Sequence, residues 1–120
     1  MEPAAIGTQS EIEKLEQERE ETTRNLERQL TDLRNMAEPT ADEADVDAYE
    51  REKTWALAQS LQRKLESIER ALRLAQAGTY GICESCGERI DPARLEILPQ
   101  TTLCLACQRK LERQAKRAAR

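Results

Sequence analysis

Four cysteines near the C-terminus are the residues of this 120-residue chain whose type and spacing most directly indicate chemistry. Cys83 and Cys86 form one CxxC pair and Cys104 and Cys107 form a second, with seventeen residues between the pairs. A CxxC sequence on a tight turn places two thiolates on one side, and Gly87 allows the chain to reverse after the first pair. Two such turns complete a tetrahedral four-sulfur site, which is typical of zinc.

This ligand set predicts one structural zinc ion and a protein that is not an enzyme. Four thiolates leave no coordination position for a water molecule or a substrate, which argues against Lewis-acid catalysis. A redox dithiol and an iron–sulfur cluster are the alternatives that the same cysteines leave open. Cytoplasmic cysteines stay reduced, so metal binding is favoured over disulfide formation.

A second group of chemically capable residues is the acidic stretch EPTADEADVDAYE, residues 38–50. It holds six acids in thirteen positions and no basic residue. Such carboxylates could bind magnesium or a basic partner. The alternative is a solvated turn that Pro39 initiates, with the acids interacting favourably with the start of a helix. The two interpretations are compatible.

The segment before the acidic stretch has the heptad pattern of a coiled-coil helix. Ser10 and Glu13 make a capping box that predicts a helix start at Ser10, and the pattern ends near Met36. Arg19 and Gln29 interrupt the stripe, and Leu30 widens it. The stripe consists of Ile12, Leu15, Thr22, Leu26, Leu33 and Met36.

The segment after the acidic stretch carries a more regular pattern. It predicts a helix that begins between Ala44 and Asp47 and runs to Ala77, where Gly78 supplies a left-handed stop. Tyr49 and Trp55 are predicted to pack across to the other helix, and contact with a partner protein is the alternative. The apolar seam consists of Ala58, Leu61, Leu65, Ile68, Leu72 and Ala75.

These elements predict a mainly α fold: a long antiparallel two-helix coiled-coil hairpin, a small four-cysteine zinc-finger module and a C-terminal helix. The chain is 35% charged and 2% aromatic, which suits a thin hairpin better than a thick core. The short connection favours antiparallel helices of about 40 and 50 Å. A parallel coiled-coil dimer of one helix, interrupted near Pro39, is the alternative.

The predicted domain boundaries follow from these patterns. Residues 1–9 form a flexible lead-in, residues 10–77 the hairpin with its acidic tip at 38–50, and residues 78–120 the zinc finger with a basic helix. Pro92 and Pro99 predict turns and short strands between the cysteine pairs. The chain has no run of ~20 apolar residues and no signal-peptide pattern, so a cytoplasmic protein without a membrane partner is expected.

The cysteine segment resembles a known family. The sequence GTYGICESCGERIDPARLEILP followed by CLAC, from Gly78 to about Glu112, resembles the zinc finger of the DksA/TraR family of bacterial transcription regulators. The resemblance implies a monomer that binds RNA polymerase directly, without sequence-specific DNA binding. In that family the hairpin enters the secondary channel of RNA polymerase, and the zinc module stays near the rim of that channel. The family acts on promoter complexes, often together with ppGpp.

The resemblance also selects residues at the tip. The family motif there is Asp-x-x-Asp-x-Ala; Asp42 and Asp45 match the two aspartates, whereas Asp47 stands at the alanine position and Ala48 follows one residue late. Asp42, Asp45 and Asp47 are therefore the candidate partner-binding residues.

Two other functions remain open. Gre-type factors insert an acidic hairpin into the same channel and use an acidic pair to hold magnesium for transcript cleavage, but they lack the four-cysteine finger. The tail from Gln108 to Arg120 holds six bases against Glu112, so a zinc-ribbon adaptor that binds nucleic acid or protein through this tail is the second alternative.

Overall fold

The computed structural model describes residues 9–36 and 44–119, and these residues form a mainly α fold. The four helices are α1 (Gln9–Asn35), α2 (Ala44–Gln76), α3 (Pro92–Ile97) and α4 (Leu105–Ala118). The chain divides into two compact units. Unit 1 contains Met1–Gln17 and Ser67–Arg120, and unit 2 contains Glu18–Glu66. Both units therefore draw on α1 and α2.

The two long helices confirm the heptad patterns. They contain 27 and 33 residues, and α2 begins within the predicted window. One detail of the prediction is wrong: α1 begins at Gln9, so Ser10 lies inside the first turn instead of capping it. The Gln9 side chain donates a 3.3 Å hydrogen bond to Glu13, so Glu13 has a different partner from the one that the capping box requires.

Within unit 2, α1 and α2 run antiparallel. Glu18 and Lys64 form an ion pair at 3.5 Å, and further along α1 Leu26 borders the same surface groove as Trp55 and Ala58. Residue numbers thus rise along one helix while they fall along the other. Leu26 and Ala58 are buried, as the seams predict.

The core of unit 1 forms where α1 and α2 meet the cysteine-containing segment. Leu15 of α1 and Ile68 of α2 are fully buried, and Tyr80, which follows α2 in the chain, is buried in the same cluster. Burying a large aliphatic side chain such as these stabilises the fold by about 1.5–3 kcal/mol. The remaining buried members of this cluster are Ala71, Leu72 and Ala75, with Ile12 and Leu95 partly buried against it.

Helix α2 ends at Gln76, just before Gly78, as the sequence predicted. Gly78 has a φ of 81°, in the left-handed region that favours glycine. Its amide donates to the Ala75 carbonyl at 3.1 Å, and the Thr79 amide donates to the Leu74 carbonyl at 2.8 Å. This is the Schellman pair of hydrogen bonds, which satisfies carbonyls that the helix leaves without partners.

The prediction of short strands between the cysteine pairs is wrong. Among the described residues, this part of the chain has one isolated antiparallel bridge, between Ile82 and Arg89, followed by the helix α3. The Asp91 carboxylate accepts a 3.0 Å hydrogen bond from the Ala93 amide, and Pro92 occupies the first helical position. Asp before Pro is a recognised helix-start signal, so the sequence did carry the information for α3.

The expected packing of Tyr49 and Trp55 across to α1 is found only in part. Tyr49 is 65% exposed, whereas Trp55 is 52% exposed and borders the groove that Leu26 of α1 also lines. Residues 1–8 of the predicted lead-in, Pro39 and Asp42 lie outside the described residues. Within the described ranges, no helix is both long and apolar enough to cross a membrane.

Candidate metal centre

The four cysteine sulfurs converge on one point in unit 1. All four Sγ atoms lie within 4.8 Å of one another, and those of Cys86 and Cys104 are 3.8 Å apart. A tetrahedral zinc site with zinc–sulfur bonds of about 2.3 Å requires sulfur–sulfur distances of about 3.8 Å. The cluster therefore fits one structural zinc ion, with Cys83 and Cys107 as its other two members.

The first pair lies on a tight turn, which we call the first cysteine turn (residues 83–87). The Gly87 amide donates to the Cys83 carbonyl at 3.0 Å, and the Cys83 amide donates to the Glu88 carbonyl at 2.8 Å. Gly87 has a φ of 78°, so the glycine after the second cysteine is required for the chain to reverse there. The turn holds Cys83 buried at 2% exposure and leaves Cys86 at the surface.

The second pair lies at the start of α4, in the second cysteine turn (residues 104–108). Cys104 is the N-cap residue of α4, and Cys107 lies in its first turn. The Gln108 amide donates to the Cys104 carbonyl at 2.9 Å, which closes the first helical turn. The N-terminus of α4 thus places two of the four sulfurs on one helical turn.

Hydrogen bonds within the cluster shift the thiol pKa values of Cys83 and Cys107 in opposite directions. Burial acts to raise the pKa of Cys83, but hydrogen bonds from the backbone of Cys104 and Cys86 outweigh it and lower that pKa to about 6. Hydrogen bonding with Cys104 raises the pKa of Cys107 to about 12. Four thiolates within 4.8 Å of one another would repel, and a bound cation would relieve that repulsion.

Contacts from α1 and α2 brace the module. The Arg70 guanidinium binds both carboxylate oxygens of Glu84, a residue inside the first CxxC, at 2.8 and 2.9 Å. The Lys14 ammonium donates to the Glu96 carbonyl at 3.0 Å, near the C-terminus of α3. These partners were not predicted, because fourteen and eighty-two residues separate them and no local sequence pattern marks such pairs.

The three candidate partner-binding aspartates, unlike the cysteines, are not brought together into a site by the described part of the chain. Asp45 and Asp47 lie in the first four residues of α2, whereas Asp42 lies outside the described residues. That these three residues bind a partner stays a prediction.

Comparison with known proteins places the cysteine segment in a defined family. Residues 78–113 match the prokaryotic dksA/traR C4-type zinc finger. A protein of Aquifex aeolicus (strain VF5) is 45% identical over 51 residues, which span 42% of this chain and 35% of that protein. The RNA polymerase-binding transcription factor DksA of Caulobacter vibrioides (strain NA1000 / CB15N) is 38% identical over 97 residues, which span 79% of this chain and 68% of that protein.

Comparison of the fold with solved structures also finds a DksA protein. The structure of transcription factor DksA2 from Pseudomonas aeruginosa matches with a TM-score of 0.75 and 26% identity, over 100% of this chain and 95% of that one. The converging cysteines, the antiparallel helices and these relatives agree, and the chain belongs to the DksA/TraR family of zinc-finger proteins.

Proposed function

We propose that this protein is a transcription regulator that binds RNA polymerase directly. The observation that carries the proposal is the 38% identity over 97 residues to a DksA whose name describes it as RNA polymerase-binding. The match extends well beyond the zinc finger at 78–113, so it includes much of the helical part of the chain. A regulator of this kind acts through protein contact, without sequence-specific DNA binding.

The antiparallel pair of α1 and α2 is the part that enters the secondary channel of the polymerase in this proposal. Asp42, Asp45 and Asp47 lie at or beside the connection between the two helices and would approach the catalytic centre. Carboxylates there can bind basic side chains or magnesium, which prefers oxygen ligands. Concentrated negative charge also steers a protein toward a positively charged channel, and this attraction weakens as salt rises.

The zinc ion has a structural role. Cys83, Cys86, Cys104 and Cys107 would hold it as thiolates, and it would fix the turns that the small, aromatic-poor module cannot stabilise alone. Four sulfur ligands leave no open position for substrate, so the zinc itself would not be catalytic, and the proposed protein acts as a binding factor and not as an enzyme. It acts as a cytoplasmic monomer, with ppGpp as a co-regulator at the polymerase surface.

In vitro transcription with the polymerase of the same organism tests the proposal. Wild-type protein is expected to bind the polymerase and change the lifetime of promoter complexes. The double variant Asp42→Asn/Asp45→Asn is expected to bind but to lose that effect. A matched double variant that also removes two charges, Glu16→Gln/Glu20→Gln, is expected to behave as wild type, because both residues are exposed along α1. Wild-type protein that fails to bind polymerase would contradict the proposal.

Two further assays separate the alternatives. Shortened RNA in stalled elongation complexes would indicate a Gre-type cleavage activity instead of regulation alone. Tight, salt-sensitive binding to free duplex DNA would indicate an adaptor that acts through the basic tail. The proposed regulator gives neither result.

A further inference from the structure

Glu84 occupies a junction between the metal centre and helix α2. It lies between Cys83 and Cys86, inside the first cysteine turn. The Arg70 Nε atom donates to both Glu84 carboxylate oxygens, at 2.8 and 2.9 Å, and the Arg70 Nη2 atom lies 2.8 Å from Oε1. The guanidinium therefore holds the carboxylate at more than one point, which fixes its orientation as well as its position.

The backbone of Glu84 makes a second connection. Its amide donates a 2.9 Å hydrogen bond to the Thr102 carbonyl, two residues before Cys104. Glu84 thus joins three elements: α2 through its side chain, the first cysteine turn through the chain itself, and the segment leading to the second cysteine turn through its amide. A displacement of Glu84 would shift the two cysteine turns relative to each other.

The burial of this ion pair indicates what it contributes. The Glu84 side chain is 26% exposed and that of Arg70 is 57% exposed. Ion pairs with this much solvent contact contribute little to the stability of a fold by themselves. Their multidentate geometry still restricts orientation, and residues that orient metal ligands affect metal affinity even when they do not touch the metal.

We propose that Arg70 is a positioning residue for the metal centre: through Glu84 it holds the first cysteine turn in the conformation that binds zinc. This inference rests on the zinc assignment made under the proposed function. Because binding free energies are reciprocal, zinc binding then also strengthens the contact between the module and α2.

Zinc affinity of the full-length Arg70→Ala protein, measured by competition with a chromophoric chelator, tests the inference. Affinity is expected to fall about 3- to 10-fold, at or below the lower end of the range for residues that support metal ligands. Arg73→Ala is the matched control: Arg73 is exposed one turn further along α2 and makes no ion pair with any described residue. Its affinity is expected to equal that of wild type.

A general loss of module stability could also lower zinc affinity, so a site-resolved readout is needed. Alkylation of the zinc-loaded protein followed by mass spectrometry gives the rate at each cysteine. In Arg70→Ala the rates at Cys83 and Cys86 are expected to rise before those at Cys104 and Cys107. Lys14→Met removes the contact of α1 with α3 instead, and there any increase should be shared by all four cysteines.

Two variants complete the design. Arg70→Lys keeps the positive charge but loses the planar guanidinium that contacts Glu84 at several points. Its zinc affinity should therefore lie between that of Arg70→Ala and that of wild type. The double variant Arg70→Ala/Glu84→Ala should bind zinc at least as tightly as the single variant with the lower affinity, Arg70→Ala or Glu84→Ala. The reason is that both substitutions remove the same ion pair. Two results would overturn this inference but leave the zinc assignment intact, provided that the wild-type protein binds zinc. One is an Arg70→Ala protein with the zinc affinity of wild type. The other is an alkylation rate in Arg70→Ala that rises equally at all four cysteines. A wild-type protein that holds no zinc would overturn the zinc assignment with it.

Discussion

The hydroxyl group of Tyr80 donates a 2.9 Å hydrogen bond to the backbone carbonyl of Pro99 in the interior of unit 1. Tyr80 is 2% exposed and packs in the cluster that contains Leu15 and Ile68. Pro99 follows α3 and leads toward the second cysteine turn. One side chain therefore anchors the loop that carries Cys104 to the helical core.

Replacing this tyrosine should weaken unit 1. Tyr80→Phe leaves the buried Pro99 carbonyl without its partner, which is expected to lower the free energy of unfolding of the zinc-loaded protein by about 1–3 kcal/mol. Urea denaturation measures the change. Tyr49→Phe, at a position that is 65% exposed, is the control and should change stability little. Equal stability of the two variants would show that the hydrogen bond contributes nothing.

The same tyrosine predicts a loss of stability at high pH. Burial, with a smaller contribution from Glu11, raises the pKa of Tyr80 to about 12. The folded protein therefore holds this proton more tightly than the unfolded chain, whose tyrosine has a pKa of about 10. The stability that the protonated Tyr80 contributes is complete below pH ~10 and is lost as the pH rises from ~10 to ~12.

Titration by tyrosinate absorbance checks this expectation. Tyr49→Phe retains Tyr80 and should show a midpoint near pH 12 for as long as the protein stays folded. In urea denaturation, the stability of Tyr80→Phe should decline less between pH ~10 and ~12 than that of wild type. A midpoint near 10 in folded Tyr49→Phe protein would contradict the buried, hydrogen-bonded state.

A change at Gly78 should act through the backbone alone. An added Cβ would meet no atom within 4 Å, but the φ of 81° is one that alanine rarely adopts. Gly78→Ala is therefore expected to lower the free energy of unfolding by about 1 kcal/mol. Gly78→Asn should cost less, because asparagine tolerates this conformation better. Thermal denaturation that ranks asparagine below alanine would contradict the backbone explanation.

The core of unit 1 should be sensitive to Leu15. Leu15 is fully buried, so Leu15→Ala is expected to cost about 2–5 kcal/mol through lost burial and the cavity left behind. Leu111→Ala on α4 removes the same atoms from a side chain that is 52% exposed, and its cost should be much smaller. Chemical denaturation of the two variants provides the comparison, and similar losses would place Leu15 outside the core.

Each Cys→Ser variant should lower the zinc content. Every cysteine belongs to the same cluster, so losing one sulfur leaves an incomplete ligand set. Elemental analysis should show reduced zinc in all four variants, and hydrogen exchange should increase across residues 78–119. Full zinc occupancy in the four variants would refute the assignment of these ligands.

Much of this fold could be predicted because its main signals are local and periodic. The spacing of Leu15 and Ile68 in their heptads fixed which helix faces are buried, and the two CxxC pairs indicated convergence on one site. Asp91 and Pro92 mark the start of α3, but a proline between two cysteine pairs fits a turn equally well, so α3 was not predicted.

The contacts that brace the metal centre were beyond such reasoning. The pairing of Arg70 with Glu84 depends on the angle at which the chain leaves α2 after Gly78, and no residue pattern encodes that angle. The high exposure of Tyr49 was missed for a related reason. An aromatic side chain packs across two helices only where the opposite helix offers space, and small differences in helix rotation decide this.

Trp55 has a practical consequence of a different kind. It is the single tryptophan of the chain, it belongs to unit 2, and it is 52% exposed. Its fluorescence therefore comes from one unit only, and from a position where an approaching surface would exclude water. A blue shift on adding a partner that has no tryptophan of its own would report contact at the helical pair without any label, while such a partner that touches only the zinc module should leave the emission unchanged.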